Sequence, residues 1–116
     1  MFRFETLDIW NLAIEYCDII FDIADDFPQK AQYNLGSQLR NSSLSISNNI
    51  AEGSGSCSKQ EFKNFLNYSI RSLYETISGL FMAKRKKYIN EQKFNVLYSK
   101  GEILVKKIRA FRESLN

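Results

Sequence analysis

Histidine is absent from this 116-residue sequence, which removes the side chain that most often serves as general base or zinc ligand. Cysteine occurs twice, at Cys17 and Cys57. That is too few for a disulfide framework, and the spacing is not that of a metal knuckle. A bridge between a helical Cys17 and a Cys57 in a serine-rich turn is not expected in a reducing compartment. Proline occurs once and glycine five times, so little breaks the chain out of helix. No apolar run approaches the ~20 residues that span a bilayer, and residues 1–5 lack the apolar stretch of a secretory signal. The expectation is a cytoplasmic protein of a single domain, spanning 1–116, because a chain this short does not supply two cores.

What is present is helix-forming. Hydrophobic residues make up 44% and charged residues 25%, the balance of an ordinary globular chain. Aromatic residues reach 14%, so the core is well filled or some rings face a partner. The net charge of +3 conceals a marked asymmetry. Residues 1–26 carry seven acidic side chains against Arg3, a net −6, and the rest carries 15 basic and 6 acidic residues, a net +9. Such a dipolar chain is suited to head-to-tail assembly or to capture of a polyanion.

Punctuation and periodicity divide the sequence into four helices, at about 6–26, 34–53, 59–88 and 91–114. Thr6 is a candidate cap for the first, and Phe27-Pro28 stops it. Asn34 is placed to start the second, which Gly53-Ser54-Gly55 would close as a glycine C-cap. Ser58-Lys59-Gln60-Glu61 has the form of a capping box, and Asn90 caps the fourth helix. Phe62, Phe65, Leu66, Ser69, Leu73, Ile77 and Leu80 recur at helical steps in the third segment. Phe94, Leu97, Gly101, Leu104, Ile108 and Phe111 do so in the fourth. Short connections predict an all-α, up-down-up-down antiparallel four-helix bundle.

The first helix has an unusual surface. Its acidic residues share one arc, and the apolar arc that remains is far wider than the stripe of ~100° a monomeric bundle needs. Trp10, Ile14 and Phe21 lie in that excess, joined by Leu44 on the second helix and by Tyr74 and Phe81 on the third. An uncovered patch of this size is an oligomer interface, or else Phe2, Phe4 and Leu7 fold back to cover it.

The stretch Tyr33-Asn34-Leu35, Gln38-Leu39-Arg40, Ser45-Ile46 and Asn48-Asn49-Ile50-Ala51-Glu52-Gly53 is distinctive. Ser58, Glu61, Phe65-Leu66, Ser72 and Glu75 follow at matching spacings. Over essentially its whole length the sequence resembles the bacterial four-helix-bundle family of 23S rRNA intervening-sequence proteins. The resemblance implies a four-helix protomer assembled as a ring-like homopentamer. The family is similar to the accessory protein of diversity-generating retroelements, which binds a reverse transcriptase and nucleic acid. No reaction is implied.

Three groups of residues are candidates for function. Arg40, Ser45, Asn49, Glu52, Ser72 and Glu75 lie along facing flanks of the second and third helices. They form a ligand pocket or an interhelical hydrogen-bond network, with an Arg40–Glu75 pair the natural centre of the latter. Lys84, Arg85, Lys86 and Lys87 end the third helix, where cations also suit the helix dipole. Extended by Lys93 and Lys100, they would make a strip for phosphate contacts, unless the acidic arc of the first helix pairs with them. Ala51-Glu52-Gly53-Ser54-Gly55-Ser56 lacks the lysine of a phosphate loop and follows a helix rather than a strand. Asp18, Asp22 and Asp25 read as a solvated face, without the spacing of a calcium loop.

These readings predict a non-enzymatic homo-oligomeric scaffold with a basic surface for RNA or DNA, and no cofactor, metal or membrane. The competing expectation is an adaptor for another protein, such as a reverse transcriptase, without direct nucleic-acid contact.

Overall fold

Pro28 ends the first helix, as a residue locked near φ −65° and lacking an N–H must when its predecessors are helical. In the computed structural model, which describes residues 1–116, helix α1 runs Asp8–Asp25 with Asp26 as its C-cap. A short turn, Gln29–Ala31, and a π-helical segment, Gln32–Gly36, lead into α2, Ser37–Ser54. Helices α3, Lys59–Arg85, and α4, Glu91–Glu113, complete the chain. They pack antiparallel in sequence order, α1 against α2, α2 against α3, α3 against α4 and α4 back against α1, in a body of 43 × 23 × 21 Å.

The ends of the helices differ from expectation in four instructive ways. Thr6 is not the cap of α1. It closes a 3₁₀ turn, Arg3–Thr6, by donating to the Arg3 carbonyl at 2.8 Å, and Leu7 occupies the N-cap. Asn34 does not start α2 but sits inside the π-helical lead, its Oδ1 accepting the Leu35 N–H at 2.5 Å. Ser58 does cap α3, accepting the Glu61 N–H at 3.1 Å, but the reciprocal bond from Glu61 is not made. Helix α3 stops three residues before Tyr88 because Lys87 adopts φ 62°. The Lys87 N–H then bonds the Lys84 carbonyl (3.0 Å) and the Tyr88 N–H that of Ala83 (2.9 Å), the paired bonds of a Schellman ending.

The core is a continuous cluster along the bundle axis, including Ile20, Leu39, Ile46, Leu66, Leu73, Leu80, Leu97 and Ile108. The seam between α2 and α3 is the most extensive in the bundle, and small residues make it so. Ser42 and Thr76, both buried, share a hydrogen bond of 2.8 Å, and Ser69 donates to the Ile46 carbonyl at 2.8 Å. Gly55 is the C-cap of α2, with a negative φ, and Gly53 in the last turn serves packing instead. A β-carbon there would come within 2.7 Å of the Phe62 ring and 2.8 Å of Phe65 Cβ, so the absent side chain is what lets the start of α3 approach.

Candidate nucleic-acid interface

Arg40 belongs to the connection between α1 and α2, not to a pair with Glu75. Its Nη2 donates to Asp25 Oδ1 at 2.8 Å and to Gln32 Oε1 at 2.6 Å. The Gln32 amide in turn donates to the carbonyls of Ala24 (3.0 Å), Asp25 (3.2 Å) and Phe27 (2.8 Å), satisfying the open end of α1. An acidic residue ending one helix and a guanidinium near the start of the next are thereby joined directly, with the Gln32 amide bridging the guanidinium to the carbonyls that end α1. Of the six polar residues grouped from the sequence, the structure brings together Ser45, Asn49 and Ser72. Ser72 donates to Ser45 Oγ at 2.9 Å, and Asn49 donates to the Ser45 carbonyl (2.8 Å) and Oγ (3.0 Å). Glu52 and Glu75 are exposed and make no ion pair. The set is a hydrogen-bonded patch on the α2–α3 seam plus three residues elsewhere.

The basic residues divide between two faces of the bundle. Lys84 bends onto the hairpin itself, pairing with Glu91 at 3.4 Å and lying over the Phe94 ring at 4.5 Å. Arg85, Lys86 and Lys87 are exposed and carry no ion pair. Lys93 borders the same turn depression as Lys84 and Lys87. It also borders a groove between α1 and α4 that holds Asp22. Lys100 lies farther along that side, in a groove with Glu15, and Lys107 pairs with Asp8 at 3.6 Å. Asp8, Glu15 and Asp22 on α1 thus run opposite Lys107, Lys100 and Lys93 on antiparallel α4, each row at seven-residue steps. Lys93 and Lys100 are exposed and continue from the hairpin along α4, beside the acidic residues of α1 and without an ion pair to them.

The apolar candidates divide too. Trp10 is half-buried beneath the N-terminal turn, with Phe4 against it at 4.7 Å between ring centroids. Folding back of the N-terminus covers that end of the patch. Ile14 and Leu44 stay exposed and Phe21 half-buried, on the flank that the Asp25–Arg40 pair marks as the α1–α2 side. Phe81 lies on the other flank, edge-on to Phe94 at 4.8 Å and to Tyr98 at 6.1 Å. It does not join the other four.

A feature that periodicity does not single out is a groove of about 350 Å³ between α3 and α4. Ile77 and Val105 form its floor, and Tyr74, Tyr98, Lys106 and Arg109 its walls. Arg109 lies over the Tyr74 ring at 5.7 Å and donates to its hydroxyl at 2.6 Å. By sequence Tyr74 is surplus apolar surface and nothing more. Most of its neighbours in the groove lie on α4, at sequence distances no periodicity reveals.

Burial alters two groups. It pushes the Tyr16 phenol well above its ordinary range, while the hydroxyl donates to the Leu97 carbonyl at 3.0 Å. The Cys17 thiol is also raised by burial, 3.5 Å from Ser43 Oγ. Both side chains are buried, Tyr16 at the base of the α1–α4 groove that holds Glu15 and Lys100, and no histidine, cysteine and carboxylate side chains gather in threes.

The architecture is that of a small antiparallel four-helix bundle whose buried polar groups serve helix packing. Residues 5–110 match the family model described as 23S rRNA-intervening sequence protein, and the chain belongs to that family. The fold is similar to a crystal structure, at 1.70 Å resolution, of a protein of unknown function from the S23 ribosomal protein family of Bacteroides thetaiotaomicron VPI-5482. The TM-score is 0.84 at 20% identity, covering 90% of this chain and 97% of the other. No curated protein matches the sequence.

Proposed function

We propose that the chain is a non-enzymatic, homo-oligomeric scaffold whose basic hairpin engages nucleic acid. The observation that carries this reading is the α3–α4 turn. Arg85, Lys86 and Lys87 project from it with no acidic partner, although acids lie elsewhere on the molecule. Free cations on a rigid turn are matched to phosphates, which they bind in a salt-dependent and largely sequence-independent way. The exposed row on the α1–α2 flank, Ile14 and Leu44 with half-buried Phe21, supports self-association. A ring-like pentamer, the assembly the family resemblance implies, would repeat the hairpin around an axis and strengthen binding by multivalency.

The test is titration of labelled RNA with the purified chain at several salt concentrations, alongside light scattering for assembly size. Replacing Arg85, Lys86 and Lys87 by glutamine is expected to flatten the salt dependence by about one unit of slope for each phosphate no longer neutralised. Binding unchanged by neutralisation would support the adaptor reading instead, with a protein such as a reverse transcriptase as partner. A monomer at high concentration would remove the scaffold.

A further inference from the structure

Resting on the reading above, we infer that the α3–α4 groove is a binding track for single-stranded nucleic acid, with bases on Tyr74, Tyr98 and Phe81. The argument begins with exposure. Tyr74 is 57% exposed, Phe81 50% and Tyr98 38%, although large rings gain most from burial. All three border one side of the bundle. Tyr74 and Tyr98 wall the groove, and Phe81 meets Tyr98 edge-on at 6.1 Å.

Cations close the row at both ends. On α3, Tyr74, Phe81 and Arg85 follow at steps of seven and four and share a face. At the Tyr74 end, Arg109 is held over the ring and Lys106 lies beside it. From Tyr74 to Arg85 the helix rises about 16 Å at ~1.5 Å per residue, a length that a few nucleotides of single strand cover. Aromatic platforms flanked by positive charge are what non-sequence-specific single-strand binders use, because every base has a face to stack and every linkage carries a phosphate.

The groove's size agrees. A volume of about 350 Å³ with an aliphatic floor of Ile77 and Val105 is enough for one base with its sugar. Glu102 is the single acid on the lining and offers an acceptor to base N–H groups. A second copy meeting this face through apolar contact alone would bury Arg85, Lys106 and Arg109 without partners, which is costly. A polyanion supplies those partners.

The experiment compares the affinities of a short labelled oligouridine and a duplex of equal length for the wild-type chain. The same measurement is made on Tyr74→Ala, Tyr98→Ala and the corresponding phenylalanine variants. All four substitutions are at exposed or partly exposed surface, and light scattering accompanies each. The expected result is preference for the single strand, with binding weakened about ten-fold by each alanine and retained by each phenylalanine. Alanine variants that bind as the wild type does, while neutralisation of Arg85, Lys86 and Lys87 weakens binding, would overturn the track and leave the basic hairpin standing. A wild type that binds neither probe would overturn both. A changed assembly size in the alanine variants would assign the groove to an interface between copies and overturn the track alone.

Discussion

The Tyr16 hydroxyl reaches the Leu97 carbonyl across the α1–α4 interface, and Gly101, one turn beyond Leu97, leaves room for it. The hydroxyl donates at 3.0 Å, and a β-carbon on residue 101 would lie 3.0 Å from that oxygen and 2.7 Å from Ile77 Cδ1. A glycine that would weaken an isolated helix is therefore what allows a buried phenol to satisfy its polar end.

A pH dependence follows. Burial raises the Tyr16 pKa above its ordinary value near 10. Its contribution is fully present below that value and is lost as pH rises toward the folded-state pKa, because the unfolded chain ionises first. Tyr16→Phe is expected to lower stability by about 1 kcal/mol at neutral pH. It is also expected to flatten the fall in stability above pH ~10. Urea denaturation of both proteins between neutral and alkaline pH measures the two effects.

Two helix glycines should respond differently to alanine. At Gly53 the new β-carbon meets Phe65 Cβ, close to the backbone of α3, so relief requires the helices to part. Gly53→Ala is expected to destabilise by about 1–3 kcal/mol. At Gly79 the nearest atom is Leu39 Cδ2, the tip of a buried side chain and not backbone, so a small shift of that tip relieves the contact. There the helix propensity of alanine, worth about 1 kcal/mol, offsets most of the crowding. Denaturant midpoints at constant m-value compare the pair.

Lys87 should be improved by glycine. Its φ of 62° is required by the Schellman bonds that end α3, and a side chain in that region costs about 1 kcal/mol relative to glycine. Lys87→Gly is expected to raise the melting temperature by several degrees while removing one hairpin cation. A gain in thermal stability accompanied by weaker RNA binding would separate the turn's folding role from its charge.

The Arg40 cluster should be asymmetric under substitution. Asp25 is 65% exposed in its side chain, so its ion pair with Arg40 is screened and worth little. Arg40, at 21%, also holds Gln32, whose amide closes the end of α1. Arg40→Ala is expected to cost clearly more than Asp25→Ala, by about 1 kcal/mol. A double-mutant cycle with Gln32→Ala is expected to return coupling between Arg40 and Gln32.

The sequence alone determined the four helices, because apolar residues at three- and four-residue steps bury only when wound at 3.6 per turn. It determined most of their limits as well, since Pro28, Ser58 and Asn90 act on their own neighbours. It also marked the charge asymmetry between α1 and the rest. Tertiary structure decided which helices face one another in detail, and with that the fate of each side chain. Arg40 was free by sequence to meet Glu75, but the π-helical lead brings Gln32 and Asp25 within its reach instead. Lys107 reads as one more cation of α4 until antiparallel packing pairs it with Asp8, whereas Arg85 is left unpaired. The Tyr74–Tyr98 groove arises from two helices meeting at a definite rotation, which side-chain packing of both together fixes and neither helix's periodicity contains.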